Sequence, residues 1–305
     1  MKKFVLIFLY CCSLTLANGQ GLNHQWLMGN QWNQLVDKGR MTFDTNSYTL
    51  NTELRKMSFD GTNASICDSI GNLLMSSNGV WIANATGDTM DNGAGLNPGY
   101  FVNSWPNGLL IVNGNIILPY PGDTNKYVLI HQTRTSLAPA SYPSNELFYS
   151  VIDKTLDTGM GSVISKNNII FQDTIIWGIA ACRHANGRDW WIVTIKDSSD
   201  IAYKVLLADN GIAKVDTQSL GFLPWGYGNA SRIQFNLFGN KFIYTTYDNP
   251  IDRNSTIVLA NFDRCTGLFS NTQTKVLSNG AYIWGITFSP SGQYAYAATS
   301  NLLFR

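Results

Sequence analysis

The sequence predicts an all-β chain arranged as a β-propeller, with four-stranded blades of about 50 residues each, five of them visible. Three observations lead there. Turn glycines recur at Gly71, Gly122, Gly187, Gly239 and Gly292, at intervals of 51, 65, 52 and 53 residues. The tetrapeptides Ile176-Trp177-Gly178-Ile179 and Ile283-Trp284-Gly285-Ile286 occupy the same first-strand slot two units apart. Charged residues make up only 13% of the 305-residue chain, about half their usual share, with turn-forming Asn, Gly, Ser and Thr in their place. A β-sandwich followed by a second β-domain is the other arrangement this pattern allows.

In chain order, residues 1–19 read as a secretory signal peptide. A cationic start (Lys2, Lys3) precedes an apolar run over 4–16 and the small residues Ala17-Asn18-Gly19. That run is shorter than the roughly 20 residues of a spanning helix. The expected location is therefore extracellular or the outer cell surface, with no membrane span in the mature chain. Residues 20–44 read as a lead-in without a clean period, with short strands at 41–44 and 47–50, and the propeller is placed over 45–305.

The first unit has strands at 65–67, 73–75 and 80–83 around Gly71 and Asn78-Gly79, and residues 87–99 read as a loop. The second has strands at 116–120, 127–132 and 147–153, with Pro121-Gly122-Asp123 as its first turn. The third spans 176–182, 190–195 and 201–207, with Asn186-Gly187 as a hairpin signal. The fourth spans 233–237, 241–247 and 256–262. The fifth has 284–289, the turn Pro290-Ser291-Gly292, then 294–299, and stops at the start of a third strand. Mixed apolar runs such as 190–195 suit sheets covered on both faces. The unfinished last sheet leads to two expectations: the chain is a fragment of a longer protein, or 41–50 pairs onto the last blade to close the ring.

Several stretches resemble a group of secreted Bacteroidota proteins, in which a propeller-like region is often followed by PKD-type modules and a type IX secretion sorting tail. They include Ile66-Cys67-Asp68-Ser69-Ile70-Gly71-Asn72, Met90-Asp91-Asn92-Gly93, Leu147-Phe148-Tyr149-Ser150-Val151-Ile152-Asp153 and His184-Ala185-Asn186-Gly187-Arg188-Asp189-Trp190-Trp191. Phe288-Ser289-Pro290-Ser291-Gly292 is similar to a turn of WD-like and lactonase-like propellers. The resemblance implies fold and export, and it transfers no catalytic residue.

Chemistry is thinly marked. The formal net charge of +1 makes no case for nucleic acid or an acidic membrane. GxSxG elbows, glycine-rich phosphate loops and metal-type histidine spacings are absent. His131 and His184 could converge on a propeller channel, or sit as ordinary strand histidines. Glu53 and Glu146, the only glutamates, could supply paired carboxylates, whereas Asp68, Asp123 and Asp209 suit turns. No cofactor is expected. Residues 87–93 carry closely spaced side-chain oxygens, readable as a calcium loop or as a solvated one. Cys67, Cys182 and Cys265 allow one disulfide at most, and each also reads as a buried strand residue.

The aromatic share, 12% with nine tryptophans, is the most suggestive feature. Trp105, Trp225 and Tyr227 lie in Gly/Pro/Asn-rich connections and are the binding candidates. Trp81, Trp177, Trp190 and Trp284 are expected to pack between blades. The functional expectation is a non-catalytic scaffold that binds a protein or glycan. The alternative is an extracellular propeller enzyme (glycosidase, polysaccharide lyase or lactonase-like) with an Asp/His site at the channel mouth.

Overall fold

The computed structural model describes residues 23–30, 35–134, 143–222, 231–247, 254–277, 282–299 and 302–305. The proposed signal peptide, Trp225 and Tyr227 lie outside them. The described chain is a β-propeller of six antiparallel meanders. The first sheet is β1 (Gln25–Leu27), β2 (Val36–Phe43) and β3 (Tyr48–Arg55). The second is β4 (Ala64–Cys67), β5 (Leu73–Ser77), β6 (Trp81–Ala83) and β7 (Thr89–Ala94). After a short helix α1 (Tyr100–Ser104), the third is β8 (Asn115–Pro119), β9 (Lys126–Thr133), β10 (Ser144–Asp153) and β11 (Ser162–Ile175). The fourth is β12 (Ala180–Arg183), β13 (Trp190–Ile195), β14 (Ile201–Ala208) and β15 (Gly211–Ser219). The fifth is β16 (Ile233–Phe235), β17 (Lys241–Tyr247), β18 (Ser255–Asp263) and β19 (Leu268–Leu277). The sixth is β20 (Gly285–Phe288), β21 (Ala295–Ala298) and β22 (Leu303–Phe304). The second and third sheets touch edge to edge at one parallel pair, Asp91 opposite Ser162.

Burying both faces of each small sheet drives this arrangement, and a separate apolar cluster sits at each of the five junctions between sheets consecutive in the chain. Leu27, Met57, Phe59 and Trp81 join the first and second sheets. Ile66, Met75, Ile117 and Leu129 join the second and third. Val128, Ile130, Ile192 and Val205 join the third and fourth. Trp191, Val193, Phe235, Phe242 and Phe262 join the fourth and fifth. Leu277, Ile283 and Ala297 join the fifth and sixth.

All five repeat glycines lie between the first and second strands of their sheets, with φ between +68° and +93°. In four turns the glycine amide donates to the residue three before it: Asp68, His184, Asn236 or Ser289. Gly122 sits one place earlier, and there Asp123 makes the bond to Tyr120. At Gly239 a Cβ would also lie 2.8 Å from Arg264 Cδ and 3.0 Å from Cys182 Cβ. Gly239→Ala is therefore expected to cost about 1–2 kcal/mol, read as a lowered denaturation midpoint, through left-handed strain plus crowding.

Several sequence readings change. There are six sheets where five were read, because the stretch taken as a lead-in supplies β1 and β2. The boundary at residue 45 falls inside the β2–β3 hairpin. Residues 41–50 pair within the first sheet, not with the sixth. Residues 87–99, read as loop, contain β7, in which Met90 is buried. Four fourth strands, β7, β11, β15 and β19, were not read at all.

Candidate functional site

The first strand of every sheet borders one central cavity of about 830 Å³. Trp26 and Leu27 come from β1, Ser65 and Ile66 from β4, and Asn115 to Pro119 from β8. Ala180 and Ala181 come from β12, Ile233 to Phe235 from β16, and Gly285 and Ile286 from β20. The strands β4, β8, β12, β16 and β20 begin at the same end. Ile179 N bonds Asn113 O at 3.0 Å, and Arg232 Nε bonds Trp284 O at 2.9 Å. Residues just before these strands, Asn63, Asn113, Arg232 and Trp284, therefore gather at one mouth.

That mouth is aromatic and amide-rich. Trp26 is 54% exposed and Trp284 61% exposed, against the expectation that Trp284 packs between blades. Trp26 stands edge-on to Phe43 at 4.7 Å, and Tyr282 lies 5.9 Å from Trp284. Trp190 also borders the cavity, its indole nitrogen donating to Pro119 O and its ring covered by Arg183 at 3.8 Å. Asn63, Asn113, Asn115 and Gln234 supply amides there, and Asn23 borders the cavity at its other end. Among the described residues, Arg232 is the one charged lining side chain. Burial lowers the pKa of its guanidinium, which donates to Trp284 O and Ser231 O.

The catalytic candidates do not converge here. His131 is fully buried on β9, bonded to Asn97 Oδ1 at 2.7 Å and Ser150 Oγ at 2.9 Å. Burial pushes its pKa down to about 3, so the ring is neutral. His184 follows β12, where its ring lies 5.9 Å from Trp191 and its Nε2 is 3.1 Å from Cys265 O. Glu53 on β3 pairs with Arg40 and Arg55, while Glu146 on β10 accepts from Gln172. Backbone amides accepted in turns hold the carboxyls of Asp68 and Asp263 below the usual range, while the Lys126 ammonium does so first for Asp123 and the Thr155 hydroxyl first for Asp153, with a backbone amide second in each.

Within residues 87–93, Asp88 accepts from Thr86 Oγ1 in its own turn, and Asp91 and Asn92 are committed to β11. Asp91 accepts from Ser162 Oγ at 2.7 Å, and Asn92 donates to Val163 O and accepts from Lys166. Among the described residues, no group of three His, Cys, Asp or Glu side chains is placed to hold a metal. Cys67 and Cys182 are buried and Cys265 is exposed, all three unbridged. Trp105 follows α1 half-buried, packed against Phe101, Leu109, Ile111 and Trp177. Arg134 lies over Phe101 on the same cluster at 4.4 Å. Among the described residues, no helix is long and apolar enough to cross a membrane.

The mouth residues Asn63, Asn113 and Arg232 were missed in the sequence. The available signal was position: each stands within two places of a first strand.

No family model matches the sequence, and no curated protein matches it. Solved structures do. A protein assigned as a 6-phosphogluconolactonase from Bacteroides uniformis is similar at a TM-score of 0.46 and 12% identity, over 92% of this chain and 76% of that one. A gluconolactonase from Xanthomonas campestris is similar at 0.36 and 11%, over 92% and 84%. A GH43 β-1,3-galactosidase is similar at 0.36 and 10%, over 63% of this chain and 40% of that one.

Proposed function

We propose that this protein is an exported, non-catalytic propeller that holds a protein or glycan ligand at the mouth of its central cavity. The observation that supports it is the lining: exposed Trp26 and Trp284 with the amide side chains of Asn63, Asn113, Asn115 and Gln234, and no Asp, Glu, His or Cys among the described lining residues. Aromatic faces stack on sugar rings or apolar side chains, and amides satisfy hydroxyl or peptide groups in both directions. Acid–base chemistry needs a titratable pair within hydrogen-bond reach of substrate, and this lining offers none. Export rests on the signal-like residues 1–19, and the type IX route on the Bacteroidota resemblance.

The test is a glycan array and a peptide panel read by direct binding. Trp26→Ala and Trp284→Ala are each expected to weaken the ligand found by about tenfold. Turnover of a glycoside, uronide or lactone by the purified chain, with no ligand retained, would overturn the reading in favour of a propeller enzyme.

A further inference from the structure

Among the described residues, β3 is an outermost strand of a kind the other sheets lack. An outer edge offers unpaired amides and carbonyls to another strand, and proteins ordinarily blunt it with bulges, charges or brevity. The ladders to β7, β11, β15 and β19 each contain a register shift, at Trp81/Ala83, at four places along β10, at Leu206/Leu207 and at Leu259/Asn261. In addition β7 and β11 meet each other, β15 carries Lys214 and Asp216, β19 carries Lys275, and β22 has two residues. The β2–β3 ladder runs from Phe43 and Tyr48 to Val36 and Arg55 without a shift. Every residue from Tyr48 to Thr52 is exposed, with Tyr48 at 65%, Leu50 at 62% and, further on, Leu54 at 67%.

The direction of the free backbone groups follows from the ladder. Met28 N donates to Gly39 O and Phe43 N to His24 O, so the odd residues of β2 bond β1 and the even ones bond β3. Asp44 N, donating to Ser47 O, continues the even series. The even residues stand opposite Thr49, Asn51, Glu53 and Arg55. The main-chain groups of Tyr48, Leu50, Thr52 and Leu54 therefore point away from the sheet. Their side chains share one face with Met41, Phe43 and Trp26.

This edge is complementary to itself. Turned antiparallel about a two-fold axis at Asn51, Tyr48 meets Leu54 of the partner subunit and Leu50 meets Thr52 of the partner subunit, each pair exchanging main-chain hydrogen bonds. Thr49 meets Glu53 of the partner subunit, and the two Asn51 side chains meet on the axis, so no like charges stand opposite. Any other axis leaves at least one of the four outward residues unpaired, and one at Glu53 sets two carboxylates against each other.

We infer that two copies of this chain associate through β3, joining their first sheets into one continuous sheet. Among occupants of this edge, a second copy is the one whose register, side-chain pairs and charges the chain itself specifies. Pairing over this length buries on the order of 1,000 Å² in all, at the lower end for a specific interface, so association in the micromolar range is expected. Antiparallel pairing reverses strand direction, and the strands run between the mouth and the far side of the ring. The two mouths consequently open in opposite directions, and the dimer bridges two ligands instead of gripping one surface twice.

Sedimentation equilibrium is expected to show a weight-average mass that rises with concentration from that of one chain toward twice that value. Thr52→Pro removes an outward amide that no strand of the same sheet uses. It is expected to move the midpoint of that rise about tenfold upward and to leave the ladder to β2 intact. Register is read separately by cross-linking in a Cys265→Ser background, which removes the exposed native thiol. Residues facing each other in a non-hydrogen-bonded pair lie about 4.5 Å apart at Cα, within disulfide reach. With oxidised glutathione, Asn51→Cys is therefore expected to cross-link to its own copy and Thr49→Cys is not. A chain that stays monomeric at about 100 μM overturns the inference. In such a monomer, hydrogen-exchange protection of the Leu50 and Thr52 amides would assign the edge to a further strand of the same polypeptide, and capture of a foreign strand would assign it to another partner. A dimer unaffected by Thr52→Pro, or cross-linking equally at both positions, also overturns it.

Discussion

Replacing Phe242 with alanine is expected to cost about 3–5 kcal/mol, visible as a large fall in the urea midpoint. Phe242 is fully buried on β17. Its ring lies 5.1 Å from Phe235, 5.1 Å from Phe269 and 6.0 Å from Tyr244, within the cluster that joins the fourth and fifth sheets. Truncation removes the transfer free energy of a whole ring and leaves a hole that rings from three strands frame. Each meets its neighbours at an angle, so collapse into the hole would break several ring contacts at once. Phe242→Leu, which keeps most of the volume, should cost less than half as much. Equal losses for the two variants would show that shape complementarity at this junction contributes little.

Acidification is expected to weaken the fold through His131. In the folded chain its pKa is held down to about 3 by burial, whereas the unfolded chain titrates near 6.5. Between those values the unfolded state binds a proton that the folded state refuses. Stability is therefore full above pH 6.5, falls as pH drops toward 3, and stops falling below that. From pH 7 to pH 5 the loss is about 2 kcal/mol. His131 also ties the second and third sheets, because its partner Asn97 donates to Gly79 O. His131→Gln should flatten the pH slope over this window in chemical denaturation. A slope that persists unchanged in the variant would assign the acid sensitivity elsewhere.

The sequence disclosed the fold unevenly, for physical reasons. Second strands such as β13 are covered on both faces and read as nearly unbroken apolar runs. Fourth strands are outermost and half-solvated, so β15 (Gly211–Ser219) and β19 (Leu268–Leu277) show charged and amide residues that resemble loop. Strand β1 spans three residues, too few for any periodicity, and its membership in a sheet comes entirely from pairing with β2. The cavity lining was less legible still. Asn63, Asn113 and Arg232 are each unremarkable locally, and only the closing of sheets spaced some 50 residues apart brings them together. Trp284 reads as a packing residue because it falls in a strand-like run, as Trp177 does, yet Trp177 is buried against Phe101 and Leu109 while Trp284 faces solvent.

The uneven interval between Gly122 and Gly187 has its own meaning. Part of the surplus lies in β11, which at 14 residues is the longest strand among the described residues and is mostly half-exposed. Added length at the circumference lengthens an edge without disturbing the hub. Natural variants and engineered insertions should therefore accumulate along this perimeter, leaving the spacing of the axial strands untouched.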